Sequence, residues 1–323
     1  MSAELDFGWA GPGDLAEVEA FHVAHFGADS VQALPGRVRW LYFDHPLGLH
    51  VAVCRDGGQM VACCGHLAQV VPVAGAPVTA GFGIDFMVAP SHRRRGIGKR
   101  FLEMRLERFP LSLSTGQSAG MRALYAACGG VELGHLFLGL HRRRPPVRGG
   151  ANGLALGWAV WAVGIGGRRV GAIPELREVT CTEAAELAAC GDDGAAWLRW
   201  RFGGPVYGDH VCLAAEAGFG GSAVVFCREA AGIRQVIGVA GAGGDRTALL
   251  AAVARRPGAD ETRVMGAGDG LRGQLCRAGY LVRPTGAMLV AMTRDPALRQ
   301  ALRSGAVELD AGAADADLLR RPG

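Results

Sequence analysis

The 323-residue sequence lacks the features that mark several common protein classes. Charged residues make up 20% of it and the formal net charge is only +4, so it lacks the dense basic surface of a dedicated nucleic-acid-binding protein. Residues 1–11 contain two acidic residues and no basic one, so the basic start of a secretion signal is missing. We therefore expect a cytoplasmic protein with no nucleic-acid partner.

The nine cysteines also lack the spacing of a metal site. No Cys-x-x-Cys pair occurs, Cys63 and Cys64 are adjacent, and the others are scattered. We expect reduced thiols that pack as small apolar side chains, and no bound metal. His22 and His25 lie three residues apart on a predicted helix and could share a metal ion, but no third ligand is evident.

No apolar run is long enough to be read as a membrane span. The run over 153–166 is shorter than the roughly 20 residues that cross a bilayer. It contains Trp158 and Trp161 and is flanked by arginines on both sides. A buried or interdomain segment is the simpler interpretation, and contact with a membrane surface through the tryptophans and arginines is the alternative.

Half of the residues are hydrophobic, and the length fits two globular domains. The periodicity of the first 140 residues predicts a mixed α/β domain. Its predicted elements are helices near 14–26 and 31–43, strands over 50–54, 60–73 and 80–88, a helix from 96, a strand over 111–114, a helix over 121–128 and a strand over 131–140. Asp14 and Glu17 have the spacing of a capping box at the first helix.

The second half of the chain echoes the first. Arg39-Trp40 is followed by His50-Val51, and Arg199-Trp200 is followed after the same interval by His210-Val211. This constant offset predicts an internal repeat, with an unrelated α/β domain as the alternative. The predicted organisation is a first domain over 1–140, a linker over 141–171, a second domain over 172–300 and a C-terminal tail over 301–323.

One segment, VAPSHRRRGIGK from Val88 to Lys99, carries recognisable chemistry because it follows a predicted strand and opens a helix. Glycines at 96 and 98 let main-chain N–H groups approach a ligand, and the first helical turn offers unpaired N–H groups at its positive dipole end. A pyrophosphate fits such a site. The segment has neither the Gly-Lys-Ser/Thr ending of a P-loop nor the Gly-x-Gly-x-x-Gly dinucleotide pattern.

This segment resembles motif A of the GNAT superfamily, Arg/Gln-x-x-Gly-x-Gly/Ala, in which Arg93, Gly96 and Gly98 take the three defined positions. Val88 and Pro90 match the usual lead-in. The resemblance implies an acyl-CoA-dependent N-acyltransferase with acetyl-CoA, or another acyl-CoA, as the donor. In the family the preceding strand splays from the next one and the pantetheine arm lies in the gap. The implied donor-binding residues are Phe86, Met87, Val88, Arg93, Arg94, Arg95, Gly96, Ile97, Gly98 and Lys99.

Two further residues are candidates for acid–base chemistry. Tyr125 lies in Leu124-Tyr125-x-x-Cys128-Gly129, which is similar to the Leu-Tyr-x-x-x-Gly-Phe segment of many family members, and the resemblance implies that it protonates the departing thiolate. This sequence departs from the pattern at Gly130 and at Ser118, where phenylalanine and asparagine are usual. Asp85 is the candidate general base, and its apolar neighbours predict a raised pKa.

His66 and Glu103 are weaker candidates for the base. The resemblance as a whole implies two GNAT-like domains, each with a mostly antiparallel sheet flanked by helices. The second domain lacks the motif, since the glycine-rich stretch 238–245 has no matching basic residues. The predicted function is direct transfer of an acetyl group from acetyl-CoA to a primary amine of a small molecule, such as an amino sugar, an amino acid or an antibiotic-like amine. The alternative is a non-catalytic acyl-CoA-binding or regulatory protein.

Overall fold

The computed structural model describes residues 4–146, 151–166, 173–188, 191–203, 210–215, 222–241, 245–304 and 309–310. The chain divides into two compact units, the first formed by 1–134 and 287–307 and the second by 135–286 and 308–323. These units do not follow the predicted boundary at residue 140. The first unit includes residues 287–307 from the second half of the chain, and the second unit begins at residue 135. Residues 147–150 and 167–171 of the predicted linker, and 305–308 and 311–323 of the predicted tail, lie outside the described residues.

The regular elements follow one another along the chain, apart from single turns. In chain order they are β1 Asp6–Trp9, α1 Leu15–Phe26, β2 Val51–Asp56, β3 Gln59–Val73, β4 Ala76–Val88, α2 Ile97–Arg108, β5 Leu111–Thr115, α3 Ala119–Ala127, β6 Val131–Arg142, α4 Ala151–Gly166, β7 Leu176–Val179, α5 Cys181–Leu187, α6 Gly191–Gly203, β8 His210–Ala215, β9 Val224–Ala230, β10 Ile233–Ala240, α7 Arg246–Arg255, β11 Glu261–Ala267, α8 Asp269–Arg277, β12 Leu281–Met292, α9 Pro296–Arg303 and β13 Leu309–Asp310.

The first unit contains the strand order β1-β2-β3-β4-β5-β12, of which only the end of β12 belongs to it. The pairs are antiparallel except β4 with β5, which are parallel and joined through α2. The β4–β5 pairing covers only Ala80–Phe82. A core of apolar side chains from β2, β3 and α2 packs behind the sheet, including Ala52, Val61, Ile97 and Phe101.

The register between β3 and β4 shifts near the middle of the pair. Cys63 is opposite Met87 and Gly65 is opposite Ile84, so one extra residue is accommodated on β4. Asp85 takes up this β-bulge with a φ of 48°, a left-handed conformation that is rare outside glycine. A bulge re-aims the side chain next to it, and here it sets the direction of Asp85.

Two local predictions for the first unit are wrong. The expected helix over 31–43 consists of a 3₁₀ turn, Val31–Ala33, and a π-helical turn, Arg39–Phe43. Asp14 makes no capping hydrogen bond to α1, because it accepts from the Gly11 N–H and pairs with Arg55. Glu17 also pairs with Arg55, at 2.6 Å. Contacts with a strand distant in sequence thus replace the predicted capping box.

The second unit contains the strand order β6-β11-β10-β9-β8-β7, with β13 beside β11. β10 and β11 are parallel and joined through α7, and the pairs β6–β11, β9–β10, β8–β9 and β7–β8 are antiparallel. Its core is built by α7, α8 and the inner face of the sheet, with Leu250, Leu275 and Tyr280 among the buried residues. The predicted fold class, mixed α/β with mostly antiparallel sheets flanked by helices, is confirmed.

Both units contain antiparallel strands followed by a parallel crossover through a helix. This agrees with the element order expected of a repeat. The internal repeat itself stays a prediction. The apolar run predicted to be buried or interfacial forms α4, where Val160 is buried and Trp158 is 48% exposed. In the described part of the chain, no helix has the length and apolarity needed to cross a bilayer.

Candidate active site

The N-terminus of α2 has the properties of an anion site. It follows the 3₁₀ turn Pro90–His92 and begins after Gly96, whose φ of +81° glycine adopts without strain. Among the described residues no side chain caps this end, and its first turn holds no acidic residue. The helical bonding starts with the Arg100 N–H, which donates to Gly96 O at 3.1 Å. The preceding N–H groups are therefore available to a phosphate.

The basic turn before α2 is held in place by an acid from β2. Oδ2 of Asp56 lies 2.9 Å from Nε2 of His92 and 3.1 Å from Nη1 of Arg95. The hydrogen bonds from His92 and Arg95 lower the pKa of Asp56. Arg95, predicted to bind the donor, is thus engaged within the protein. The sequence showed Asp56 only as part of a hairpin turn and did not indicate this supporting role.

The other predicted cationic residues of the loop are at the surface. Arg93 is exposed and donates from Nε to Val88 O at 3.3 Å, which leaves the rest of its guanidinium accessible. Arg94 is also exposed and has a φ of 63°. Lys99 lies 3.9 Å from Glu103, a distance typical of a weak surface pair. These three side chains keep the end of α2 positive.

The structure requires glycine at the two motif positions, 96 and 98, for different reasons. A Cβ at Gly96 would meet no atom within 4 Å, so that position requires glycine for its backbone conformation. A Cβ at Gly98 would lie 2.9 Å from Cδ2 of Leu124 on α3. Gly98 therefore permits close packing of α2 against α3, a role that the sequence did not indicate, and its contact with a ligand stays a prediction.

The edge of β4 that faces β5 is open beyond Phe82. Met87 and Val88 pair with β3 on one side, and the pairing with β5 on the other side ends at Phe82. The parallel strands thus diverge between the site of pairing and the basic turn. This agrees with the splayed strands that the resemblance implied. Phe86, Met87 and Val88 lie on the part of β4 that does not pair with β5, and their contact with a donor stays a prediction.

A buried arginine marks the point where β4 and β5 diverge. The Arg105 guanidinium donates to Ser112 Oγ on β5 at 3.1 Å, and a Cβ at Gly83 on β4 would lie 2.3 Å from Nη1. It also donates to Tyr125 OH at 2.7 Å and to Cys64 Sγ at 3.4 Å. The hydrogen-bond acceptors of this 2%-exposed cation are all neutral groups within the described residues.

Tyr125, the predicted acid, therefore also lies where β4 and β5 diverge, a place that we call the fork. Its ring packs with Leu102, Val290 and Met292 and is 1% exposed. Its hydroxyl accepts from Arg105, so negative charge on that oxygen would be stabilised by a cation in a medium of low dielectric constant. Sequence reasoning missed Arg105, because a charged residue on a helix is usually solvated. The glycine at 83 was the available signal, since it makes room for the guanidinium.

The raised pKa predicted for Asp85 is wrong. Burial acts to raise the pKa of this carboxyl, but Arg37 and His22 outweigh burial and the pKa lies below its usual value. Oδ2 of Asp85 accepts from Arg37 Nη1 and from Tyr42 OH, both at 2.6 Å. Local apolar neighbours suggested desolvation, whereas the bulge turns the carboxylate toward a cation that is distant in sequence.

The weaker base candidates, His66 and Glu103, have other contacts. His66 Nδ1 lies 3.2 Å from His50 O, and burial holds the pKa of His66 well below its usual value. Glu103 is partly exposed on α2 and pairs with Lys99 and Arg100. His22 is fully buried and close enough to Asp85 to affect its pKa. His25 Nδ1 lies 2.9 Å from Phe21 O. Among the described residues, His22 and His25 are not part of a group of three potential metal ligands.

Comparison with known proteins agrees with this geometry. The family model described as an acetyltransferase (GNAT) domain matches residues 15–117. The chain resembles a GCN5-related N-acetyltransferase from Kribbella flavida, with a TM-score of 0.62 and 15% identity over 92% of this chain and 73% of that chain. It also resembles a protein of unknown function, a probable N-acyltransferase, from Enterococcus faecalis V583, with a TM-score of 0.61 and 12% identity over 90% and 73% of the two chains.

A third similar structure is a GCN5-related N-acetyltransferase from Anabaena variabilis ATCC 29413, with a TM-score of 0.59 and 10% identity over 90% of this chain and 73% of that chain. No curated protein sequence matches the chain. At these identities the structural similarity establishes the fold, and the motif-bearing segment is assigned by the family model. The match to the GNAT acetyltransferase domain model therefore covers residues 15–117, which include the basic turn and α2.

Proposed function

We propose that the first unit transfers an acetyl group from acetyl-CoA directly to a primary amine of a small molecule. The observation that carries the proposal is the uncapped N-terminus of α2 beside the open edge of β4. The helix end and the exposed Arg93, Arg94 and Lys99 would bind the phosphates of the donor. The open main chain of Phe86–Val88 would bind its pantetheine arm, which leads toward Arg105 and Tyr125.

The fork supplies the chemistry needed when the thioester is cleaved. Main-chain N–H groups of β4 would polarise the thioester carbonyl as the amine attacks. The Tyr125 hydroxyl would give its proton to the departing sulfur of coenzyme A, and Arg105 would stabilise the resulting phenolate at 2.7 Å. Arg105 is thus a positioning residue for the acid. The acceptor amine must be neutral to attack, so its proton has to leave first.

Asp85 suits a positioning role better than the predicted role as base. A carboxylate that already accepts from Arg37 and Tyr42 at 2.6 Å has weak affinity for another proton. We therefore propose that Asp85 fixes the bulge of β4 and that the amine proton leaves through ordered water.

The test of the proposal is calorimetric titration of acetyl-CoA into the wild-type chain and an Arg94→Glu variant. Glutamate has a Cβ as arginine does, so the substitution leaves the strain at the positive φ of residue 94 unchanged. The charge of this side chain near the helix end is reversed. Arg272→Glu is the matched control, since Arg272 is exposed on α8 in the second unit. We expect binding by the wild type and the control, and at least tenfold weaker binding by Arg94→Glu.

Release of free thiol in the presence of a panel of primary amines then separates the two functional classes. Turnover with any amine supports the acetyltransferase. Binding without turnover across amino sugars, amino acids and aminoglycoside-like amines favours the non-catalytic acyl-CoA-binding protein. If the wild type does not bind acetyl-CoA, both the acetyltransferase and the acyl-CoA-binding protein are contradicted.

A further inference from the structure

Three side chains with metal-binding chemistry come together in the second unit, outside the site described above. Cys181 is the first residue of α5, and His210 and Cys212 lie on β8. One ligand atom from each, the two sulfurs and a ring nitrogen, lie within 4.8 Å of one another. Within the described residues this is the one cluster of three or more such ligands.

The strand register explains the convergence. Val179, the last residue of β7, pairs with Cys212 in an antiparallel register. Cys181 follows Val179 by two residues, at the start of α5, and β8 begins at His210, two residues before Cys212. His210 and Cys212 share one face of β8, because side chains two apart in a strand point to the same side. Residues far apart in sequence thus form a compact set without any Cys-x-x-Cys spacing.

We propose that Cys181, His210 and Cys212 bind a zinc ion. Thiolate and imidazole are the ligands that zinc prefers, and two thiolates with one neutral imidazole balance its charge. Two sulfurs each about 2.3 Å from a tetrahedral zinc are about 3.8 Å apart, which lies within the observed separation. Three protein ligands leave a fourth coordination position for water or another ligand.

The environment of the cluster favours a built site. Cys212 is 3% exposed, and Cys181 and His210 are half-buried, so the metal would be held at the boundary of the sheet with access from one side. The expectation of no metal followed from the absence of a Cys-x-x-Cys pair. It did not take account of ligands that the β7–β8 pairing brings together.

Cobalt substitution tests the site directly. The full chain, reduced and freed of metal by a chelator, would be titrated with Co²⁺ without oxygen. We expect one equivalent to give the strong visible bands of tetrahedral cobalt and a near-ultraviolet thiolate-to-cobalt charge-transfer band, both removed by adding Zn²⁺. Cys181→Ser and Cys212→Ser should each lose about half of the charge-transfer intensity and weaken Zn²⁺ binding at least tenfold. His210→Gln should weaken binding and keep the thiolate band.

Two cysteine variants serve as controls. Cys276→Ser removes an exposed thiol on α8, and Cys227→Ala removes a buried thiol on β9 that is opposite Val211. Both should bind cobalt like the wild type. Cys212→Ser is the variant at risk of misfolding because Cys212 is buried. Cys181 is only half-buried, so Cys181→Ser is also used in a second measurement. Zn²⁺ should raise the melting temperature of the wild type and leave that of Cys181→Ser unchanged.

Two results would overturn the proposal. One is a thiolate–cobalt band that is absent from the fully reduced wild type or unchanged in Cys181→Ser. The other is a Cys181–Cys212 disulfide in the isolated protein together with no metal binding after reduction, which would identify the pair as a redox couple. The outcome is independent of acetyl-CoA binding by the first unit.

Discussion

At the scale of single residues, the proposed chemistry at the fork between β4 and β5 depends on the hydrogen bond from Arg105 to Tyr125. We expect Tyr125→Phe to lower kcat by about 10²- to 10⁴-fold with little change in KM, because it removes the proton donor and keeps the packing. It should also cost about 1–3 kcal/mol of stability, since a buried guanidinium loses an acceptor. Steady-state kinetics and urea unfolding measure the two effects separately.

Tyr280→Phe is the matched control for that variant. Tyr280 is also 1% exposed, and its hydroxyl donates to Leu250 O at 3.0 Å in the second unit. It should lose a similar amount of stability and keep kcat. Equal kcat values for Tyr125→Phe and the wild type would contradict the role of Tyr125 as acid and leave it a core tyrosine.

A second prediction at this scale concerns Asp85→Asn. The variant removes the charge that pairs with the buried Arg37, and we expect a loss of roughly 3–5 kcal/mol at neutral pH. The pKa of Asp85 is lowered in the folded state, so its stabilising effect is present above the unfolded value of about 3.9 and is lost as the pH falls through the folded pKa. Asp85→Asn should therefore show a weaker acid dependence than the wild type.

Urea unfolding as a function of pH checks this, with Asp260→Asn as control. Asp260 is 63% exposed and lies 4.0 Å from Arg144, so its removal should change stability little. If Asp85→Asn keeps wild-type stability and instead loses the rise of kcat/KM with pH, Asp85 is the general base and the positioning role is wrong.

At the scale of elements, α2 packs closely against α3 at Gly98, next to the helix end that we propose binds the donor phosphates. Gly98→Ala would place a methyl group 2.9 Å from Leu124, and we expect it to cost about 1–3 kcal/mol and to weaken acetyl-CoA binding. Adding Leu124→Ala makes room, so the double variant should be less impaired than the sum of the two single ones. Calorimetry and thermal unfolding of all three variants measure this coupling.

Gly120→Ala is the control for a methyl group on the same helix pair. The nearest atom to its added Cβ is 4.0 Å away, so the variant should be neutral or slightly stabilised. Additive effects of Gly98→Ala and Leu124→Ala would show that Gly98 is required for another reason, such as direct approach of the donor.

The same scale shows what could be predicted from the sequence. The strands, α2 and the basic turn were predictable, because alternation, helical periodicity and glycine positions are local signals. The capping box at Asp14 and the helix over 31–43 were wrong, since Arg55 and the packing around Trp40 act from other parts of the chain. The ion pair of Asp85, the cation at Arg105 and the Cys181 cluster depend on pairing between distant residues, which local patterns do not contain.

At the scale of the whole molecule, the two units should differ in their capacity to bind acetyl-CoA. In the second unit α7 follows β10 as α2 follows β4 in the first, but α7 is capped by Asp245, whose Oδ1 accepts from the Thr247 N–H at 2.8 Å. A carboxylate at this helix end takes up the N–H group and repels phosphate, whereas Gly96 leaves the end of α2 free. Residues 242–244 of the glycine-rich stretch lie outside the described residues.

The proposal that the second unit is a degenerate GNAT-like domain therefore predicts a stoichiometry of one acetyl-CoA per chain. Calorimetry with an independently measured protein concentration should give one site for the wild type and one site of at least tenfold weaker affinity for Arg94→Glu. Two equivalent sites, or one site whose affinity is unchanged in Arg94→Glu, would contradict the assignment of binding to α2. In the second case the donor would have to bind away from the N-terminus of α2, and the role of the basic turn would need to be reassigned.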